Sequence, residues 1–573
     1  MLRLSAAAAI SILILSLIGH PCASTARAEA VCARGGVVAT ACPAATAVGV
    51  DILERGGNAV DASVAIGFAL AVAYPQAGNL GGGGFMLVRL ASGASRFLDF
   101  REKAPLAAHR DMYLDERGEV IEGMSLLGAT AAGVPGSVSG LHRAHELHGT
   151  MPWGELLAPA IALARDGFPV SARLAASLAR LQPYLDRFSG LRQFTRTDGS
   201  PLATGDTLVQ PELARTLEIV ARDGLHGFYE GAVADLIVSE MRSSGGIISR
   251  EDLAAYATAE RKPVRGDYRG YEILSAPPPS SGGAVLVLIL NILEEIGLSD
   301  MDFLSEQAIH YVVEAERLAY ADRARYLGDP DFVSVPTELL TSKRYARTLA
   351  RRITPRATPS SSVIGATDAD REKQETTHYS VVDRWGNVAA TTTTLNDSYG
   401  SRLVVRGAGF LLNNEMDDFS AKPGTANLYG LVGGDANAIE PGKRMLSSMA
   451  PTIVLRDGKP VLVLGTPGGS TIITTVAQIV VDVVDFGMTL EEAVAAPRFH
   501  HQWLPDCISF EKGVLTRYLR GYLAARGHTV EERSEPIGDV QAIEIHGDCA
   551  CGVSDPRGGG TAGGVDVVEP VHR

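Results

Sequence analysis

Between Val38 and Tyr74 the apolar positions form two helical runs. Ala44 to Leu53 is alanine-rich and closes on Arg55-Gly56-Gly57-Asn58, whose glycines allow the positive φ of a helix stop. Ala59 to Ala73 is apolar on nearly every side, which predicts a helix buried all round and ended by Pro75. Helical spacing returns after Ala132-Gly133-Val134-Pro135-Gly136-Ser137, through His142 and His145, and again in the amphipathic run Trp153 to Asp166. Ser171 to Ser299 reads as mainly helical with loops. The long helix expected over Ile309 to Tyr326 carries Glu314, Glu316, Arg317, Asp322, Arg323 and Arg325. Charges of both signs at three- and four-residue spacing read as surface or interhelix ion pairs, with no catalytic part.

Strand-like runs punctuate this pattern. Phe85 to Val88 follows Gly81-Gly82-Gly83-Gly84, and Phe97 to Phe100 follows soon after. The four glycines lack the Lys-Ser/Thr of a phosphate-binding loop and read as a place of close backbone packing. Later, His378 to Asp383, the turn Asp383-Arg384-Trp385-Gly386-Asn387 and Val388 to Thr394 predict a β-hairpin. It begins with threonines at the end of a polar, breaker-rich stretch, Thr354 to Glu375. Thr452 to Leu455 and Val461 to Leu464 are further strands, and Gly465-Thr466-Pro467-Gly468-Gly469-Ser470 opens a helix at Thr471.

A chain of 573 residues, 46% apolar and 21% charged, has the composition of a soluble globular protein with a large core. The net charge of −14, with no basic stripe, argues against a nucleic-acid partner. Met1-Leu2-Arg3, the apolar run Ala6 to Ile18 and Ala26-Arg27-Ala28 read as a secretory signal over residues 1–28. That run is shorter than the about 20 residues a spanning helix needs, so the expectation is an exported, periplasmic protein without a stable membrane span. Cys22 leaves with the signal; Cys32, Cys42, Cys507, Cys549 and Cys551 remain, and their spacing leaves any disulfide pairing open.

Thr376 is the residue on which the chemistry turns. As an ordinary strand threonine it needs no explanation. If the Glu375–Thr376 bond is cut, its hydroxyl sits beside a new α-amine, whose ordinary pKa is near 8. One residue then supplies nucleophile and base. The same hydroxyl can make the cut by attacking the Glu375 carbonyl. Thr354–Glu375 thus reads as a processing linker within one folding unit, because the hairpin beyond it needs strands from the earlier chain.

Thr376-Thr377-His378-Tyr379-Ser380 resembles the processing-site motif of the γ-glutamyltransferases (γ-glutamyltranspeptidases), N-terminal-nucleophile hydrolases, and the likeness extends from about Gly35 to Arg557. It implies a four-layer αββα sandwich (class α+β), with a large subunit over 29–375 and a small one over 376–573 that stay together as one unit. It further implies that Thr394 hydrogen-bonds the nucleophile and that Gly468 and Gly469 hold the oxyanion. Arg101, in Asp99-Phe100-Arg101-Glu102, matches the residue that grips the substrate α-carboxylate, with Ser447 and Ser448 helping. Asn396 matches a substrate-binding Asn, and Glu415 and Asp418 match acceptors for the α-ammonium. The glycine-rich stretch Asp418 to Arg444 resembles a mobile lid with little core of its own, Tyr429 closing over the pocket.

The implied substrate is glutathione or a related γ-glutamyl amide, and the implied route uses neither metal nor organic cofactor. Calcium at Leu411–Ser420 lacks an EF-hand register. His378 and the pair His500-His501 read as structural. The tail beyond Arg557 is expected to be less ordered. Two other readings stand beside this one: a glutaryl- or cephalosporin-type acylase of the same fold, and an uncut γ-glutamyl-peptide binding protein.

Overall fold

The computed structural model describes residues 28–360 and 376–566. Nearly all of the expected secretory signal, Glu375 and most of the expected linker therefore lie outside the described residues.

Two seven-stranded antiparallel sheets are built from both sides of the linker. The first runs Thr561–Val565, Gly36–Thr40, Thr376–Asp383, Val388–Thr394, Gly83–Arg89, Ser95–Phe100, Ala259–Arg261. The second runs Ala30–Ala33, Cys549–Ser554, Gln541–His546, Lys459–Gly465, Thr452–Arg456, Tyr271–Ser275, Val264–Tyr268. Alternation along the first sheet separates two cores. Val38, Met86, Val88, Tyr379 and Val381 face the helices Pro43–Glu54, Ala59–Ala73 and Trp153–Asp166. Val37, Phe85, Leu87, Val382 and Ala390 face the second sheet, whose far side carries the helices Gly282–Ile296, Glu306–Tyr326 and Thr471–Val484. The layers are thus helix, sheet, sheet, helix, an α+β sandwich.

Ala59–Ala73 is buried at every position, as its apolar circumference predicts. Asn58 does more than end the preceding helix. Its side chain accepts from the Val60 and Asp61 amides, and Asp61 accepts in return from the Asn58 amide, a capping box. The glycines at 81–84 do pack backbone to backbone: a Cβ would lie 2.2 Å from the Leu411 carbonyl oxygen at Gly81 and 2.1 Å from that of Thr394 at Gly82.

Four expectations fail. Val264–Tyr268 and Tyr271–Ser275 are strands within the stretch read as helix and loop; they form one margin of the second sheet, where Arg265 and Asp267 point to solvent and alternate with the buried Val264 and Tyr268 over only five residues. The tail is not loose at Thr561–Val565, an edge strand paired with Gly36–Thr40. Gly564 lies so close to that edge that a Cβ would come 2.7 Å from Ala33 Cβ. On Glu306–Tyr326, Glu314, Glu316, Arg317 and Arg323 are buried rather than surface charges. Arg317 donates to Glu314, Ser360 and Asp506, and Glu316 accepts the His501 amide. In the lid stretch Leu428, Tyr429, Leu431 and Val432 are buried in the main core, so it has more packing than its glycines suggest.

The open cysteine question is answered in part. Cys32 and Cys551, directly opposite on neighbouring strands, form a disulfide; Cys42 and Cys549 are free. No helix among the described residues is long and apolar enough to cross a membrane.

Candidate active site

Thr376 opens a central strand of the first sheet and lies directly opposite Thr394 across the hairpin. Period-two alternation turns Thr376, His378 and Ser380 toward the second sheet, away from the helix-facing Tyr379 and Val381. His378 is wholly buried there. It hydrogen-bonds the Thr392 hydroxyl through Nδ1 at 2.8 Å and the Ser380 hydroxyl through Nε2 at 3.1 Å. Burial lowers its pKa to about 3, so the ring is neutral and tied to its strand, a structural role. Ser380 in turn donates to the Gln541 carbonyl of the second sheet.

A small cavity opens on Thr376. It is lined by Arg101, Thr394, Asn396, Glu415, Asp418, Tyr429, Ser447, Ser448 and Gly469 as well, all singled out from the sequence. Gly468 lines a separate, larger groove instead. Gly468 and Gly469 take φ of 141° and 52°, a backbone suited to glycine, just before the helix Thr471–Val484. Among the described residues neither glycine amide donates to a carbonyl, which leaves two N–H groups at the start of a helix available to an anion.

Arg101 is the centre of a buried charge cluster. Its Nη1 donates to Glu415 Oε1 at 2.6 Å, its Nη2 to Asp418 Oδ2, and its Nε to the Met445 carbonyl at 3.3 Å. Glu102 lies 3.5 Å away without a hydrogen bond. Burial pushes the carboxyls of Glu102, Glu415 and Asp418 up, Glu102 to about 8, while the Arg101 charge pulls all three back. Glu415 and Asp418 each hydrogen-bond the guanidinium, whereas Glu102 has no hydrogen-bond partner among the described residues. Cation and carboxylates, expected to hold the two charges of a substrate's amino-acid end, are here bonded to one another.

The lid is down. Tyr429 donates its hydroxyl to the Asn396 carbonyl at 2.6 Å, and its ring covers Gly469, where a Cβ would meet it at 2.7 Å. Asn396, at φ 77°, donates its amide to the Thr394 hydroxyl at 2.7 Å and its side chain to the Asn414 carbonyl at 3.0 Å. Asn427 ties the lid to Asp418 Oδ1 at 3.0 Å, and Asp417 accepts the Leu428 amide at 2.9 Å. Asp417, its carboxyl pushed up to about 7 by burial, and Arg323 are site components that sequence reasoning missed. Asp417 sits inside a motif already singled out; Arg323 was hidden among ordinary helix charges.

A family model for γ-glutamyltranspeptidases matches residues 45–565. The chain belongs to this family. It is 52% identical over 528 residues to the glutathione hydrolase proenzyme of Escherichia coli K12, covering 92% of this chain and 91% of that one. The Pseudomonas aeruginosa glutathione hydrolase proenzyme is 48% identical, covering 94% and 96%. The Acylase ACY 1 proenzyme of Pseudomonas sp. SE83 is more distant at 37%, covering 90% of both. Among solved structures, a cephalosporin acylase from Bacillus halodurans superposes with TM-score 0.83 at 26% identity, covering 97% of this chain and all of that one. The Helicobacter pylori γ-glutamyltranspeptidase gives 0.54 at 47% identity, covering 55% and 90%.

His500 and His501, the other family stretch with possible ligands, are held in the core. His500 bonds the Thr474 hydroxyl and Gln502 Oε1, each at 2.8 Å, and His501 bonds Asp506 at 3.3 Å.

Proposed function

We propose that the chain is an exported γ-glutamyltransferase and glutathione hydrolase that cleaves itself between Glu375 and Thr376. The observation that carries the reading is that Thr376 begins its strand on the cavity that also presents Arg101, Glu415 and Asp418. After the cut, the Thr376 hydroxyl attacks the γ-carbonyl of glutathione or a related amide. Its own amine takes the proton and returns it to the leaving amine. Thr394, opposite in register, orients the hydroxyl, and the Gly468 and Gly469 amides receive the oxyanion. The γ-glutamyl ester then passes to water or to the amine of an amino acid or peptide. At the far end of the cavity Arg101, Ser447 and Ser448 hold the donor's α-carboxylate, while Asn396, Glu415 and Asp418 take its α-ammonium. Substrate entry therefore exchanges the internal Arg101 ion pairs for pairs with a zwitterion, and Tyr429 closes over it.

Intact mass and N-terminal sequencing of the exported protein test this directly. Two chains, one starting at Thr376, are expected, and Thr376→Ala is expected to give one uncut, inactive chain. Cleaved, active Thr376→Ala protein sinks the assignment. The overall likeness to a cephalosporin acylase keeps a glutaryl donor as the second reading, but a glutaryl group has no ammonium to set against Glu415 and Asp418. Turnover of a glutaryl amide without turnover of its γ-glutamyl counterpart decides for the acylase.

A further inference from the structure

Arg323 is a buried cation whose place in the reaction is unassigned. It projects from the helix Glu306–Tyr326, is 5% exposed, and among the described residues has no carboxylate within ion-pair distance. Its guanidinium spends its donors on hydroxyls. Nε donates to Ser281 Oγ at 3.0 Å and Nη2 to Ser448 Oγ at 3.2 Å. Ser281 passes the contact on by donating to the Ser447 carbonyl at 2.7 Å.

These bonds decide which way the two cavity serines act. A hydroxyl carries one proton and accepting lone pairs. The Ser448 oxygen accepts from Arg323, and the Ser447 oxygen accepts from the Met449 amide at 3.1 Å. With acceptance served by groups behind them, the protons of both hydroxyls are left for the cavity, where an anion is the matching ligand.

Charge points the same way. Arg101, which lines the cavity, already faces both Glu415 and Asp418. Both of its Nη atoms are thus engaged by protein carboxyls, and Arg323 adds a second guanidinium directly behind the serines, where an incoming carboxylate gains from the extra positive charge. The same helix also supports the opposite wall, since the Tyr320 hydroxyl donates to the Ser470 carbonyl beside Gly469.

We propose that Arg323 is a positioning residue for the donor's α-carboxylate: it fixes the Ser448 hydroxyl as a donor into the cavity and supplies the second positive charge at that end. The inference rests on the γ-glutamyl reading above. It concerns only substrate recognition, so self-cleavage is expected to survive its loss.

The test compares two donors on the processed enzyme: a γ-glutamyl anilide and the 4-aminobutanoyl anilide, which keeps the ammonium and lacks the carboxylate. In the wild type the γ-glutamyl compound is strongly preferred. Arg323→Met is expected to lower kcat/KM for it by roughly 10- to 100-fold, the range for a lost charge-assisted hydrogen bond, mainly through KM. The 4-aminobutanoyl compound is expected to change less than about threefold, because its contacts are retained. Ser448→Ala should reproduce the pattern, and the double variant should lose little more than either single one. Arg323→Lys, which keeps the charge but not the planar fork, should fall between. Equal losses on both donors, or an unchanged preference, overturn the proposal. If Arg323→Met does not fold, Arg323→Lys and Ser448→Ala carry the same comparison, and losses spread equally over both donors overturn it there. A wild type that ignores the carboxylate removes the γ-glutamyl reading itself, and this inference with it.

Discussion

One methyl group at Gly465 should damage a site it never touches. A Cβ there would lie 2.4 Å from both Cε1 and Nδ1 of the His378 ring, and 2.8 Å from Cγ. The ring must retreat by about 1 Å to reach ordinary van der Waals distance. It has nowhere to go without breaking bonds, since Thr392 and Ser380 hold its two nitrogens and it is fully buried. Overpacking costs roughly 1–3 kcal/mol, and a buried polar group stripped of its partner a further 1–3 kcal/mol. Gly465→Ala should therefore lose about 4 kcal/mol in urea unfolding, the middle of the summed range. The functional loss should be larger than stability alone implies. Thr392 and His378 lie two residues from Thr394 and Thr376 in the same hairpin, and displacement of a reacting group by about 1 Å can cost about 100-fold in rate. Self-cleavage and turnover, followed at a temperature where the variant remains folded, measure that part. Adding His378→Ala to Gly465→Ala should recover much of the stability by opening space for the methyl. A single variant with stability changed by less than about 0.5 kcal/mol, with normal self-cleavage, would refute the steric argument.

Tyr429→Phe removes the hydroxyl bond to the Asn396 carbonyl but keeps the ring on Gly469. It should weaken lid closure by about 1 kcal/mol, seen as roughly fivefold faster access of a bulky quencher or a matching rise in KM; no change in either excludes that bond as the latch. The neutral His378 predicts a pH effect of definite sign. Its folded pKa of about 3 lies below the ordinary 6.5, so its stabilising share is fully present above about pH 6.5 and is lost as pH falls toward 3, about 2 kcal/mol of it by pH 5. Glu102, raised to about 8, acts oppositely, costing stability as pH rises from about 4.5 to 8, so the wild type is compared with His378→Asn and only the difference is read. A His378→Asn curve parallel to the wild type between pH 4 and 6.5 contradicts the assignment. Finally, after processing the two chains should migrate as one species without reductant and as two with it, through Cys32–Cys551; two species in both lanes would show that bond unformed.

Much of the site was legible because it is carried by short contiguous motifs. The hairpin Thr376–Thr394 shows period-two alternation around an evident turn, and Ala59–Ala73 is apolar on every side, so both report their environment locally. Arg323 does not. Its spacing to Glu316 and Arg317 is that of any solvated helix face, and only the packing of Glu306–Tyr326 against the serine loop makes it part of the site. The strand Thr561–Val565 was hidden for a related reason: Thr-Ala-Gly-Gly-Val has too few side chains to show alternation, and the glycines are demanded by a neighbour reached only in three dimensions. The ion pairs of Arg101 with Glu415 and Asp418 were foreseeable as chemistry but not as a resting state, because the sequence names the charges without their distances.

The disulfide alters what kind of molecule processing leaves behind. In the intact chain Cys32–Cys551 closes a ring spanning 519 residues of separation. Once the Glu375–Thr376 bond is broken the ring opens, and the covalent path runs from Thr376 to Cys551, across to Cys32, and on to Glu375. The polypeptide becomes in effect a circular permutant of itself, its old ends joined and new ones made at the nucleophile. Its two parts then meet at an effective concentration in the millimolar range rather than at the nanomolar level of a dilute protein, a difference of about 8 kcal/mol. Unfolding and recovery thus stay unimolecular, and the oxidised enzyme should regain activity after denaturation at dilutions where the reduced one falls apart.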